Sequence, residues 1–276
     1  EYSLKIAKNQ LNSRQELVIE ALKLPAANLS VQKLFFSTDY EELRNYAKLW
    51  SNSLDFLEIV TIIDSNNNVL ARSNGEREPQ LFLKTKPLQT FFRRKQPIAT
   101  TELVRQDEYC HEVSHEVCQA LPPNSEVMVQ IVFVPIIDTA GNVIGAIITG
   151  DEVNREPYLP FQQQKVFDKT VEMLVTQRGE LIASTMKAVG GLKVNLDARI
   201  YQSLRNGYSF KGTAPLNGSQ YEMIAEPIYN HTGEFIGSIA VALGAGPFAS
   251  IMNENYRNLM ICGALSSVVI FILAYL

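Results

Sequence analysis

An internal repeat of a strand–turn–strand pattern sets the main limits on how this chain can fold. The segment FVPIIDTAGNVIGAIITGDEV at 133–153 recurs as AEPIYNHTGEFIGSIAVAL at 225–243. The matching pairs, each 92 residues apart, are Pro135 and Pro227, Ile136 and Ile228, Gly141 and Gly233, Ile144 and Ile236, Gly145 and Gly237, and Ile147 and Ile239. Apolar, β-branched runs around turn residues are typical of hairpins. The chain is therefore expected to contain one hairpin-rich unit twice.

A second pair of hairpins precedes each copy in the same order. The segment IVTIIDSNNNVLARS at 59–73 corresponds to TVEMLVTQRGELIAST at 170–185, which aligns Ala71 with Ala183. The two spacings, 92 residues for the first pair of segments and 112 for the second, together predict two copies of an α+β module with antiparallel sheets. Gly145 and Gly237 lie inside strands, where backbone or ligand is expected to approach closely.

Helical patterns precede the first hairpin. We predict a helix over 1–24, ended by Pro25, and a second from Tyr40 to Leu54. Leu4, Leu11 and Val18 form a seven-residue repeat that either packs on the same domain or makes a weak dimer seam. The predicted organisation is a helical stalk at 1–56, a first module at 57–153 and a second at 154–247 that begins with a proline-containing linker. The stretch between the first two hairpins is expected to be loop-rich, with a short helix near 88–93.

The last segment of the sequence is apolar. Leu259 to Leu276 carries no charged residue, and about 18 helical residues span roughly 27 Å, close to the hydrocarbon thickness of a bilayer. This predicts a transmembrane helix within a juxtamembrane and membrane unit at 248–276; the alternative is a buried core helix. Residues Glu1 to Asn255 would then lie on one side of the membrane.

Charge and cysteine content limit the function classes. A net charge of -4 and a pI near 5.5 argue against a nucleic-acid-binding surface. Cys110 and Cys118 are close enough in sequence to pair, whereas Cys262 lies in the apolar segment. An extramembrane pair with no leftover thiol indicates an oxidising, extracytoplasmic side.

These motifs, with the apolar helix after them, resemble the double Cache sensory modules. The resemblance implies two stacked PAS-like modules outside a bacterial inner membrane, the first distal and the second proximal, in a dimeric receptor for a small molecule. It also implies a cytoplasmic output, such as a chemotaxis domain, histidine kinase or nucleotide cyclase, that this sequence does not contain. The Arg, Trp and Tyr pattern of amino-acid-binding members is missing, although Asp151 stands where those members place an amine-binding acid.

The first copy has an extra stretch that includes CHEVSHEVC at 110–118. His111, Glu112 and His115 match the zinc-protease signature HExxH, which requires a helix. A helix would separate the Cα atoms of Cys110 and Cys118 by about 12 Å, beyond the roughly 7 Å that a disulfide tolerates. We favour a disulfide-closed loop, and keep a metal sensor or membrane-anchored metalloenzyme using His111 and His115 as the alternative.

The candidate ligand site is assembled from polar residues of the first module that lie in the apolar strands, at their ends, or in the loop that should cap the sheet. An arginine would pair with a carboxylate and an aspartate with an amine. The candidates are Arg72, Arg105, Tyr109, Gln130 and Asp151. The sequence shows no convincing nucleophile triad, phosphate-binding loop or carboxylate pair, so we expect neither catalytic activity nor a cofactor in this chain.

Overall fold

A computed structural model of the chain describes residues 2–37, 39–54, 56–74, 91–92, 95–154, 171–186, 195–216 and 218–244. The helices are α1 (Tyr2–Ala27), α2 (Leu29–Ser37), α3 (Tyr40–Ser53), α4 (Gln106–Cys110), α5 (His115–Gln119) and α6 (Ala198–Arg205). The first five strands are β1 (Ile59–Asp64), β2 (Val69–Arg72), β3 (Ile98–Arg105), β4 (Glu126–Ile137) and β5 (Val143–Glu152). The second five are β6 (Val171–Gln177), β7 (Glu180–Ser184), β8 (Phe210–Leu216), β9 (Ser219–Tyr229) and β10 (Phe235–Gly244).

The strands form two antiparallel sheets with the same topology. Their orders are β2-β1-β5-β4-β3 and β7-β6-β10-β9-β8. The register agrees as well, because Ile62 pairs with Ala71 and Ile147 in the first sheet, as Val175 pairs with Ala183 and Ile239 in the second. The predicted α+β fold with a duplicated, PAS-like module is confirmed.

The N-terminal helices cover one face of the first sheet. The buried row of α1 consists of Leu4, Ala7, Leu11, Arg14, Val18, Leu22 and Ala26. The predicted seven-residue repeat therefore packs within its own chain. The prediction that Pro25 ends α1 is wrong by two residues, because its φ suits a helix and only one backbone hydrogen bond is lost near the end. Asn28 then separates α1 from α2, and its Oδ1 accepts from the backbone N–H of Ser30.

Strand β3 was not predicted from the sequence. Its middle residues Thr100, Thr101 and Glu102 are polar yet buried, and this composition resembles that of a loop. Strand β3 pairs along its own length with residues 126–133 of β4 and lies at the edge of the sheet. Phe91 and Phe92 are helical, and the rest of the helix predicted near 88–93 lies outside the described residues.

The two repeated glycines allow a close approach of neighbouring strands. A Cβ atom at Gly145 would lie 2.3 Å from the carbonyl oxygen of Ile63, and one at Gly237 would lie 2.0 Å from that of Thr176. The close approach predicted at these positions is therefore one of backbone on backbone.

A shared core joins the two modules. Leu4 and Leu11 of α1 pack with Met128 of the first sheet and with Met173 and Ile239 of the second. Within the described ranges, no helix is both long and apolar enough to cross a membrane. The membrane helix predicted at 259–276, its juxtamembrane lead from 248 and most of the predicted linker lie outside those ranges.

Candidate functional site

The candidate site lies on the face of the first sheet opposite α1. We call it the covered face, because residues 106–121 pack over it, and we call these residues the covering segment. Its apolar part includes Ile59, Ile63, Val129, Ile131, Phe133 and Ile148 from the sheet, and Tyr109, Val113 and Leu121 from the covering segment. Side chains alternate between the two faces of a strand, so Thr61, Arg72 and Glu152 also point to this side. Polar groups are thereby placed inside an apolar core.

A buried ion pair forms the centre of this polar group. Arg72 and Glu112 are each only 1% exposed. Arg72 Nε lies 3.0 Å from Glu112 Oε2, and Arg72 Nη2 lies 3.0 Å from Glu112 Oε1. The hydroxyl of Thr61 donates a further hydrogen bond to Glu112 Oε2. The guanidinium thus holds the carboxylate in a two-point contact, the geometry that gives the strongest charge-assisted hydrogen bonds.

A second pair of polar side chains lies at the end of β5. The hydroxyl of Tyr109 donates to Glu152 Oε2 at 3.1 Å, and both residues are buried. The backbone N–H of Glu152 donates to Glu58 Oε2 at 2.9 Å, just before β1 begins. The covered face therefore presents carboxylates as well as a guanidinium.

The covering segment is held in shape by a disulfide and an asparagine. Cys110 ends α4 and Cys118 lies in α5, and their bonded side chains hold the two Cα atoms 5.1 Å apart. Asn74 Nδ2 donates to the carbonyl oxygens of His111 and Val113, at 3.0 and 3.3 Å. These contacts fix the backbone on both sides of Glu112. The Glu112 side chain is thereby held against Arg72.

The structure overturns the zinc-protease geometry of the HExxH segment. That geometry needs both histidines on one helix, but α4 ends at Cys110 and α5 begins at His115, with Ser114 as its N-cap. Glu112 is engaged by Arg72, and His115 Nε2 lies 2.7 Å from Gln119 Nε2 at the surface. Across the described ranges, no group of three or more histidine, cysteine, aspartate or glutamate side chains is arranged to hold a metal ion.

Two of the predicted ligand residues lie on the other face of the sheet. Gln130 and Asp151 are paired neighbours on β4 and β5, and both face α1. Asp151 Oδ2 is 3.2 Å from Arg14 Nε, and Gln130 Nε2 donates to the carbonyl oxygen of Leu11 at 3.0 Å. The Arg14 guanidinium also lies 4.2 Å from the centroid of the Phe56 ring. In this arrangement Gln130 and Asp151 fasten α1 to the sheet.

Arg105 is at the surface, away from Arg72 and Tyr109 on the covered face. Its side chain is 64% exposed and contacts Glu108 Oε1 at 2.9 Å and Asp107 Oδ2 at 3.3 Å. The hydrogen bond and charge of Glu108 raise the pKa of this guanidinium above its usual value. Of the five predicted ligand residues, Arg72 and Tyr109 share the covered face, and the other three lie elsewhere.

Sequence reasoning missed Thr61, Glu152 and the partnership of Glu112 with Arg72. Strand alternation gives a signal for the first two, since Thr61 follows the parity of Ile59 and Ile63 and Glu152 that of Ile148. Glu112 comes from the covering segment, and its partner could not be read from local spacing.

The second module has fewer polar groups in its core. Thr61 and Arg72 pair with each other across β1 and β2, and their counterparts across β6 and β7 are Leu174 and Ser184. Within the described part of this module, the buried polar residues are Thr176 and Ser238. A cavity of about 290 Å³ opens beside Lys211 and Glu222, near the ends of β6 and β10.

Comparison with known proteins identifies this architecture. Residues 151–255 match the family model of the single Cache domain 3. The structure is similar to the periplasmic domain of Vibrio cholerae LuxQ, with 12% identity, a TM-score of 0.54, and coverage of 88% of this chain and 98% of that one. It is also similar to the sensor domain of the V. cholerae histidine kinase DctB, with 11% identity, a TM-score of 0.50, and coverage of 88% and 95%. No curated protein matches the sequence. The predicted resemblance to double Cache sensory regions is confirmed.

Proposed function

We propose that this chain is a double Cache sensory region that binds a small molecule at the covered face of its first module. Binding there would be passed through α1 and the second module to a cytoplasmic output. The proposed location is the extracytoplasmic side of a bacterial inner membrane, with the segment predicted at 259–276 as an anchor. The sensor and periplasmic domains to which the fold is similar support this assignment.

The difference between the two modules is the observation that carries the proposal. At equivalent paired positions, the first module has Thr61 and Arg72 and the second has Leu174 and Ser184. Burying ionisable groups is costly, and the equivalent positions of the second module hold no charged residue. Convergent polar groups in an apolar setting are typical of ligand sites.

A route for the signal exists in α1. This helix contacts the first sheet through Arg14 and Asp151, and the second through Lys8, whose Nζ lies 2.6 Å from Glu226 Oε2. A ligand that favours one arrangement of the first sheet would therefore bias the position of α1 relative to the second. Coupling of this kind requires a differential affinity of about 1–3 kcal/mol between two states.

We further propose that the working unit is a homodimer formed through the outer side of α1. Leu17, Ala21 and Leu24 are exposed there at helical spacing, and Leu29 and Phe36 of α2 are exposed as well. An apolar stripe with this spacing suits a parallel helix from a second copy of the chain.

The experiment that tests the ligand site compares two tyrosine variants. A panel of small carboxylates, amines and amino acids is screened by thermal shift, and the affinity of each compound that binds is measured. We expect Tyr109→Phe to weaken binding at least fivefold, because it removes a buried hydroxyl while keeping the ring. Tyr208→Phe changes an exposed tyrosine in the same way and should leave the affinity unchanged.

The same experiment can contradict the proposal. Equal affinities in wild type and Tyr109→Phe would place the ligand elsewhere. So would ligand-induced amide protection confined to the second module in hydrogen exchange.

A further inference from the structure

The carboxylate held by Arg72 belongs to the protein itself. We propose that Thr61 and Arg72 form a carboxylate-receiving site in which Glu112 is a tethered competitor, so that a ligand carboxylate binds by displacing it. This inference rests on the proposed ligand-sensing function and adds a ligand class and a means of regulation to the same site.

The contacts at the site depend only on a planar carboxylate. Both oxygens of Glu112 are engaged, Oε1 by Arg72 Nη2 and Oε2 by Arg72 Nε and the hydroxyl of Thr61. All three donors come from the sheet, whereas the acceptor comes from the covering segment. A free carboxylate of similar shape could satisfy the same donors without any part of the Glu112 backbone.

The tether determines how strongly Glu112 competes. The disulfide between Cys110 and Cys118 and the two hydrogen bonds from Asn74 fix the backbone around Glu112. A group fixed in this way acts at a high effective concentration, and the apparent affinity of an external ligand falls with the fraction of sites that it can enter.

Reduction of the disulfide would loosen the tether. A dithiol reductant supplies two electrons and two protons, so that the S–S bond is replaced by two thiols while the reductant closes its own disulfide. The hydrogen bonds from Asn74 then remain, but the covalent restraint is lost and Glu112 leaves Arg72 more often. The apparent affinity for a carboxylate is therefore expected to be higher in the reduced protein.

Acetate is the probe, because it reproduces the end of a glutamate side chain. In Glu112→Ala, sodium acetate should raise the unfolding midpoint in a saturable way, with an affinity at least tenfold higher than for wild type. Sodium chloride at the same ionic strength and neutral acetamide should not have this effect. Glu116→Ala is the matched control, because it removes an exposed glutamate from the same segment.

A second variant keeps the test valid if Glu112→Ala does not fold. In the double variant Cys110→Ser, Cys118→Ser, which mimics the reduced state, acetate should bind at least threefold more tightly than to the oxidised wild type. The proposal is overturned if acetate shifts Glu112→Ala and Glu116→Ala equally, or if the cysteine variant and wild type bind it equally. In either case the comparison of Tyr109→Phe with Tyr208→Phe still judges the proposed ligand site independently.

Discussion

Neighbouring acidic residues at the end of β5 serve two different parts of the molecule. Asp151 faces α1 and pairs with Arg14, whereas Glu152 faces the covering segment and accepts from Tyr109. Their separation follows from the two-residue period of a strand, which sends successive side chains to opposite faces. The sequence therefore allows both to be identified as polar residues in a strand, but assigning their roles requires knowing what covers each face.

The alternation of side chains between the two faces of a strand explains which residues of the candidate site could be predicted from the sequence. Arg72 could be selected as a polar residue in an apolar hairpin, and Tyr109 as part of the loop expected to cap the sheet. Gln130 and Asp151 met the same criterion yet lie under α1, because the sequence does not state which face the N-terminal helix covers. Glu112 was identified only through its motif, and its role depends on a contact 40 residues away along the chain.

The same side-chain turn occurs in three hairpins of the chain. Asp64, Asp138 and Asn230 each accept, through Oδ1, the backbone N–H groups two and four residues ahead. The hydrogen bond from the backbone of Asn142, followed by its side-chain hydrogen bond and those from Ala140 and Gly141, lowers the pKa of Asp138, and burial opposes this only in part. A carboxylate and an amide thus fill equivalent positions in the two repeats.

The pH dependence of stability should differ between Asp138 and its amide replacement. Because the pKa of Asp138 is lower in the folded protein, its contribution is complete above the unfolded value of about 3.9 and is lost as the pH falls through the folded value. We expect the unfolding midpoint of wild type to drop more steeply below about pH 4 than that of Asp138→Asn. Thermal unfolding from neutral to acidic pH measures this.

The reverse change provides the control for this prediction. Asn230→Asp places a carboxylate in the corresponding turn of the second module and should add acid sensitivity. Parallel curves for wild type, Asp138→Asn and Asn230→Asp would show that these turns do not contribute to the pH dependence.

At the level of elements, hairpins were easier to predict than their surroundings. The eight strands of the four repeated hairpin and strand–turn–strand segments have both a period and a turn signal, whereas β3 has polar residues in its middle and pairs only along one edge. Helix α2 escaped prediction because Pro25 was taken as the end of the helical region. The position of α2 depends on packing. Val31 is buried in the core that the N-terminal helices share with the first sheet, and Gln32 Nε2 donates to the carbonyl oxygen of Ile137 at 2.7 Å.

A methyl group at Gly237 should destabilise the second sheet. The Cβ of Gly237→Ala would meet the carbonyl oxygen of Thr176 at 2.0 Å and Met128 Cε at 2.7 Å, so the strand must shift against the backbone of β6. We expect a loss of about 1–3 kcal/mol in the free energy of unfolding, measured by urea denaturation.

Gly244→Ala is the matched control in the same strand. Its nearest neighbour would be Tyr221 Cε1 at 3.4 Å, on a ring that can move, so we expect a change within about 0.5 kcal/mol. Equal effects of the two variants would mean that the close approach at Gly237 does not constrain the sheet.

At the level of the whole molecule, α1 has two sides. Its buried row, here called the inner row, joins the modules, and its outer stripe of Leu17, Ala21 and Leu24 remains exposed. The inner row matches the repeat of Leu4, Leu11 and Val18 found in the sequence. The outer stripe was not singled out, because Leu17 and Leu24 become conspicuous only once the inner row is known to be covered.

The proposed dimer should depend on this outer stripe. Leu24 is 81% exposed, and Leu24→Glu would place a charge opposite its counterpart in a parallel pair of helices. We expect the dimer dissociation constant, measured by sedimentation equilibrium, to rise at least tenfold. Leu49→Glu alters an exposed leucine on α3 and serves as the control. A dissociation constant unaffected by Leu24→Glu would exclude this face.

Contacts at the far edge of the first sheet close a ring through the molecule. His231, in the turn after β9, lies with Nδ1 2.7 Å from Glu102 Oε1 on β3, and Arg178, in the turn after β6, pairs with Glu126 at 3.0 Å. Since α1 bridges the same two modules on another side, the connections form a closed mechanical loop. A displacement of one sheet relative to the other would have to change either the contacts of α1 or the contacts of these turns. Relative motion of the two modules is therefore coupled to the contacts of α1 on one side and to those of these turns on the other.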